Sequence, residues 1–310
     1  MLEEMMRLAL RVASTAFFSM DISGDFDEIG LAFRDAFGHL RKRMNSPMAP
    51  PPWVPTAENR RFARAMKTLK RVVLELIARR RAAAPGARDV LALLLAAQDE
   101  TTGVGMTDEQ LKDEVLGLLA AGHETIGAAL SWTWYLLAAN PDVQQALYDE
   151  LHGRLRGAAP TAENLDHLPL ARAVFEESMR LYPPAWGVPR EAIVDDQING
   201  YAIKRKTPIV VSQYLTHRHP DFWSDPERFN PERFNSEESA AKRHRFAYYP
   251  FGGGPRLCIG HAFAMVEGPL ILATLASRFR LEMVEGQTIV PDPTFTLRPR
   301  HGVNVRIYPR

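Results

Sequence analysis

The sequence predicts a mainly α protein with small β sheets. Three observations carry that reading. Apolar residues recur at helical spacing over Arg7–Phe18, Ile29–Leu40 and Asn59–Arg81. One long helical pattern runs from Thr107 to Asn140, and another follows Cys258 to about Phe279. Strand-like β-branched runs are short and confined to the C-terminal half, between Ile193 and Val211 and after Thr294.

Composition narrows the function classes. The 310 residues are 46% hydrophobic and 24% charged, with a net charge of +1, so neither nucleic acid nor an acidic membrane surface is called for as the main partner. A single cysteine excludes an internal disulfide and suits a reducing, cytoplasmic setting. The acidic Met1-Leu-Glu-Glu start is unlike a signal peptide, and no run of eighteen apolar residues predicts a transmembrane segment.

In chain order, the first two helices are expected to flank a turn at Asp21–Asp25. The proline cluster Ser46–Pro55 predicts a stiff extended connector. The Arg and Lys residues of Asn59–Arg81 read as a solvated face. Thr107-x-x-Gln110 is a capping box that opens the longest helix, and Pro141 stops it. Its middle is apolar nearly all round and therefore buried. Leu118, Ala121, Gly122, Thr125, Ala129 and Trp132 share one stripe, small enough near Thr125 to leave room for a ligand. Asn140 and Pro141 are expected at the cap and first turn of the next helix. Further on, Leu170, Val174, Glu177 and Leu181 fall on one stripe. That spacing turns Glu177 into the core, where it needs a partner such as Arg180 one turn on.

Asn199-Gly200 marks a hairpin. His217 and His219 read as loop residues, since two histidines with no further ligand are a poor metal site. Lys242-Arg-His-Arg245 is a basic cluster, either solvated or a dock for an acidic partner. Pro269 inside the last helix predicts a bend. Thr294–Leu297 and Val303–Tyr308 are expected to pair as a hairpin.

The most informative stretch is Tyr249-Pro-Phe-Gly-Gly-Gly-Pro-Arg-Leu-Cys-Ile-Gly-His261. It sets the lone cysteine after a glycine-rich turn and just before a helix. The free N–H groups of a helix start favour a thiolate there, and glycines let the backbone approach a flat ligand. No Gly-Lys-Ser/Thr follows, which excludes a phosphate loop. Phe251-x-x-Gly254-x-Arg256-x-Cys258-x-Gly260 resembles the haem-binding signature of the cytochrome P-450 family.

The resemblance extends along the chain. Ala121-Gly-His-Glu-Thr125 is similar to that family's oxygen-activation motif. Glu177-x-x-Arg180 with Arg233 in Phe229-Asn-Pro-Glu-Arg-Phe234 is similar to its core Glu–Arg–Arg set. The implied cofactor is heme b, iron protoporphyrin IX, with Cys258 as axial thiolate and metal ligand. Phe251, Gly252 and Gly260 would frame it, and Arg190 and Arg256 would pair with its propionates. Thr125 and Glu124 would handle protons, while Glu177, Arg180 and Arg233 hold the scaffold. The implied fold is a cytochrome P-450 fold lacking its N-terminal strands and first helices, as one incomplete domain over 1–310.

The implied activity is a haem-thiolate monooxygenase that inserts one oxygen atom of O2 into a small apolar organic substrate. Electrons would come from an external ferredoxin, flavodoxin or reductase. The alternative is a truncated, non-catalytic haem-binding or interaction remnant of such an enzyme.

Overall fold

A computed structural model describes residues 1–20, 22, 25–46, 48–83, 88–235 and 243–310. The described chain divides into two compact units, residues 3–127 and residues 128–310 with Met1 and Leu2.

The first unit holds α1 (Leu2–Phe18), α2 (Phe26–Asn45), α3 (Ala57–Ala82), α4 (Val90–Ala96) and the first part of α5 (Asp108–Ala139). The helical spacing legible in the sequence is what builds its core: Leu10, Phe18, Ile29, Phe33, Leu69, Val72, Leu76, Leu111, Val115 and Leu119 form one buried cluster. α1, α2 and α3 extend a few residues beyond the predicted ranges. Thr56 caps α3 by accepting from Asn59 N at 3.0 Å. Asp89 caps α4 by accepting from Ala92 N at 2.9 Å, and it also receives half-buried Arg80, which donates to Phe18 O as well.

One local reading needs amending. The Ser46–Pro55 segment is folded into turns rather than extended. Ala49 N donates to Ser46 O and Val54 N to Pro51 O, both at 3.0 Å. The Asn59 side-chain amide then binds the Pro51 and Val54 carbonyls at 2.8 Å each. The turn expected at Asp21–Asp25 falls mostly outside the described residues.

Thr107 and Gln110 form the reciprocal capping box: Gln110 Oε1 accepts from Thr107 N at 2.9 Å, and Thr107 Oγ1 accepts from Gln110 N at 3.3 Å. α5 is then α-helical to Ala139 without a break. At ~1.5 Å per residue it is roughly 48 Å long. Gly122 and Gly127 let α1 lie close: an added Cβ would fall 2.7 Å from the Phe17 ring and 2.5 Å from Met6 Sδ.

The second unit contains the rest of α5, α6 (Pro141–Leu155), α7 (Pro169–Leu181), β1 (Val188–Glu191), β2 (Asp196–Ile198), β3 (Tyr201–Ile203), β4 (Pro208–Val211), α8 (Gln213–Thr216), α9 (His261–Ala276), β5 (Phe279–Met283), β6 (Pro291–Pro293), β7 (Leu297–Pro299) and β8 (Val305–Pro309). Pro141 opens α6 as expected, but Asn140 does not cap with its side chain; its amide turns back to Leu136 O at 2.7 Å.

The four sheets among the described residues are all antiparallel pairs. β2 and β3 are joined by Asn199-Gly200 with φ of 47° and 86°, the left-handed pair that suits a tight hairpin. β1 pairs with β4 across a turn where Lys206 takes a φ of 68°.

The tail does not form the expected hairpin. β7 pairs with β6, while β8 returns to β5, matching Phe279 with Pro309 and Met283 with Val305. Gln144, fully buried, explains where β5 sits. Its amide accepts from Leu281 N at 2.8 Å and donates to Leu281 O at 3.0 Å. α9 remains helical through Pro269. Beside it, Gly268 lies under Phe175 of α7, whose ring would be 2.3 Å from an added Cβ.

Candidate functional site

The cysteine loop is shaped by backbone bonds. Gly252 N donates to Tyr249 O at 2.9 Å, and Gly252 and Gly254 take φ of 75° and 69°, where side chains are disfavoured. A short 3-10 turn at Gly254–Arg256 follows, closed by Leu257 N to Gly254 O at 3.0 Å. Cys258 N then reaches back to Phe251 O at 3.0 Å, and His261 N donates to Cys258 O at 3.3 Å. Gly260 is the cap residue of α9, and the Phe251 ring lies 4.3 Å from the His261 ring. Gly260 itself has an ordinary backbone, and an added Cβ there would stand 3.8 Å from Cys258 Sγ.

Cys258 is exposed, not sealed in the core. Its neighbours are open too: Leu257 is 52% and Ile259 95% exposed. Two aliphatic side chains left in water beside a thiol form a surface that a flat apolar ligand would cover. Arg256 stands exposed in the 3-10 turn. Arg190, exposed on β1, donates only to the adjacent Pro189 O at 2.9 Å. Neither arginine forms an ion pair among the described residues, so both positive charges remain available to an anion. An open cysteine, a glycine cradle, apolar flanks and two unspent cations are a donor set that fits a porphyrin with carboxylate arms.

The structure brings Glu177, Arg180 and Arg233 together in the same unit. Glu177 and Arg180 are fully buried and bidentate, at 2.7 and 2.8 Å. Arg233 Nε makes an ion-pair contact with Glu177 at 3.4 Å, and Glu177 also accepts from Asn230 N at 2.9 Å. Arg180 spends its other donors on the carbonyls of His217, Pro226 and Arg228, at 2.9, 2.7 and 3.2 Å. Every polar atom of Arg180 thus grips the 217–233 segment or Glu177.

Thr125 and Glu124 lie in the first unit. Thr125 Oγ1 donates to Ala121 O at 2.8 Å, the back-bond that a buried helix offers any threonine. Glu124 is 5% exposed. His123 is buried against Phe33, with its Nδ1 2.6 Å from Leu119 O, and burial pushes its pKa down. Of the small stripe, Gly122 is filled by Phe17 and therefore serves helix packing. Ala121 is exposed and Thr125 partly open, whereas Ala129 and Trp132 are buried, Trp132 stacking on Tyr182 at 3.9 Å.

Two sequence readings change here. His217 is not a plain loop residue: it is fully buried, and its Nε2 accepts from Tyr249 N at 3.0 Å. Only its three-dimensional surroundings reveal this, since nothing in the local pattern sets it apart from His219. The basic cluster also loses a free charge. Arg243 is packed over Trp223 and Phe234, at 4.7 and 4.4 Å, and donates to Arg233 O. Lys242 lies outside the described residues. No group of three metal-ligating side chains occurs among the described residues.

The chain is 37% identical over 93% of its length to cyclooctat-9-en-7-ol 5-monooxygenase of Streptomyces melanosporofaciens, of which it covers 62%. It is 30% identical over 99% of its length to pentalenene oxygenase of Streptomyces avermitilis, of which it covers 68%. The chain therefore spans about two thirds of the length of these relatives. The crystal structure of the cytochrome P450DA heme domain superposes on the whole chain with a TM-score of 0.89 at 29% identity, the chain covering 68% of it. Residues 1–305 match the family described as Cytochrome P450, and the chain belongs to that family.

Proposed function

We propose that the chain provides the haem-thiolate centre of a monooxygenase that acts on a small apolar organic substrate, with residues 1–310 belonging to one incomplete cytochrome P-450 domain. The observation that carries this reading is the exposed Cys258 at the end of its glycine turn, flanked by open Leu257 and Ile259. Cys258 would supply the thiolate that holds the iron of heme b, Arg190 and Arg256 the propionate partners, and Phe251, Gly252 and Gly260 the frame. Bound haem supplies reductive activation of O2 and transfer of one oxygen atom to the substrate.

The chain's own residues do the rest. The Glu177–Arg180–Arg233 set fixes the backbone from His217 to Arg233. Thr125 Oγ1 carries a proton that it donates to Ala121 O at rest and can turn toward a ligand by rotation about χ1. Glu124, next in the helix, is the carboxylate best placed to replace that proton in a site where water is scarce.

No helix among the described residues is long and apolar enough to cross a membrane. The single unpaired cysteine suits a cytoplasmic setting. Electrons would come from an external ferredoxin, flavodoxin or reductase docking by charge complementarity.

The test is spectroscopic. The chain loaded with haem, reduced and exposed to carbon monoxide is expected to show the red-shifted Soret band of thiolate ligation. Cys258→Ser is expected to abolish that band. Its persistence in the variant would remove Cys258 from the ligand position.

A further inference from the structure

The buried Glu177–Arg180 pair makes no hydrogen bond of its own to the cysteine loop; its bonds end on residues 217, 226, 228 and 230. Among the described residues, His217 carries a hydrogen-bonded path from the pair to Tyr249. The His217 carbonyl accepts from Arg180 Nη1 at 2.9 Å, and the His217 ring accepts from Tyr249 N at 3.0 Å. Tyr249 is the first residue of the loop, and its carbonyl closes the Gly252 turn that leads to Phe251 and Cys258. The ring is held on both sides by Tyr248 and Tyr249, each 5.2 Å away, and Tyr249 OH donates to Thr216 Oγ1 at 2.9 Å beside it.

We propose that His217 is a positioning residue for the cysteine loop: its Nε2 lone pair holds the Tyr249 N–H, and through that bond the buried ion pair fixes where the loop begins. Accepting a backbone N–H requires Nε2 to be unprotonated, so the ring proton resides on Nδ1. Nδ1 faces the Met179 and Arg180 backbone but meets strict hydrogen-bond geometry with neither, so the ring is kept in this tautomer chiefly by what Nε2 receives. Burial, reinforced by the neighbouring Arg180 charge, opposes protonation of the ring.

The consequence for haem ligation rests on the proposed function; the hydrogen bond itself does not. Two measurements separate them. Amide hydrogen exchange on the full chain, with no haem added, reads the Tyr249 N–H directly. His217→Leu, which cannot accept, is expected to speed exchange at Tyr249 about tenfold or more, while amides of α6 stay unchanged. His217→Gln, whose Oε1 can take the place of Nε2, is expected to restore most of the protection. If His217→Leu fails to fold, the 15N resonance of Nε2 in wild-type protein decides, with an unprotonated nitrogen expected from pH 5 to 8. Unchanged exchange at Tyr249 in His217→Leu, glutamine behaving no better than leucine, or a protonated Nε2 would overturn the assignment.

The second measurement is the carbon monoxide spectrum of the haem-loaded variants. His217→Leu is expected to lose a severalfold larger share of the red-shifted band than His217→Gln. Faster Tyr249 exchange with an unaltered band would refute the link to ligation and leave the hydrogen bond standing.

Discussion

Thr125 shows what a single side chain can and cannot announce. In the sequence it stands in a motif, and in the structure its hydroxyl bonds back to Ala121 O as any helical threonine might. Replacing it with alanine removes that local bond at little cost to the fold, so the variant isolates the chemical role. Thr125→Ala in the haem-loaded protein is expected to retain the thiolate spectrum and to lower product formed per O2 consumed severalfold. Oxygen and product assays together check this, and an unaltered ratio would remove Thr125 from proton delivery. Glu177 and Arg180 were legible because their spacing puts a carboxylate on an apolar stripe, which forces a partner. His217 was illegible because its partners come from Arg180 and Tyr249, 37 and 32 residues away in the chain.

Helices were the readable elements, since their signal is periodic and local. Pairing between strands is neither. Val303–Tyr308 looked as if it should fold onto its sequence neighbour Thr294–Leu297, yet β8 joins β5. Phe279–Met283 had been hidden at the end of an apolar run read as helix. What fixes it as a strand is Gln144, a polar residue on α6, holding both backbone groups of Leu281. Gln144→Leu would leave that buried N–H and C=O unmatched, at a cost of about 2–4 kcal/mol. Urea denaturation would measure it; a loss below about 0.5 kcal/mol would mean that β5 stands without the bridge. The α7–α9 contact makes a similar demand. Gly268→Ala forces a methyl group into the Phe175 ring and should cost about 1–3 kcal/mol, despite alanine's better helix propensity. Thermal unfolding would show it as a lower midpoint.

Across the whole molecule, two buried groups set opposing pH limits. Burial pushes His217 down to about 3. The unfolded chain then takes up a proton that the folded chain refuses, so stability falls as pH drops from about 6.5 toward 3. Burial pushes Glu267 up to about 8, and neither of its oxygens has a hydrogen-bond partner among the described residues. The folded chain keeps a proton there that the unfolded chain has released, so stability falls as pH rises from about 4.5 through 8. The two effects place the most stable range at about pH 5 to 6. Glu267→Gln should abolish the alkaline decline, gaining about 4 kcal/mol more at pH 8.5 than at pH 5. Urea midpoints taken across pH would reveal an unchanged alkaline slope if Glu267 is not responsible. Neither group was visible as a titrating site in the sequence, because burial depends on which helices and loops close over it.

The open lip around Cys258 has a practical meaning. Ile259, with 95% of its surface in water, contributes nothing to folding where it stands. Its hydrophobic area is held in reserve, to be released only when something flat and oily settles against the sulfur. Until then the same area is adhesive toward any greasy surface it meets. Under the proposed ligation, covering that area would add to the affinity for haem, and leaving it open would favour self-association.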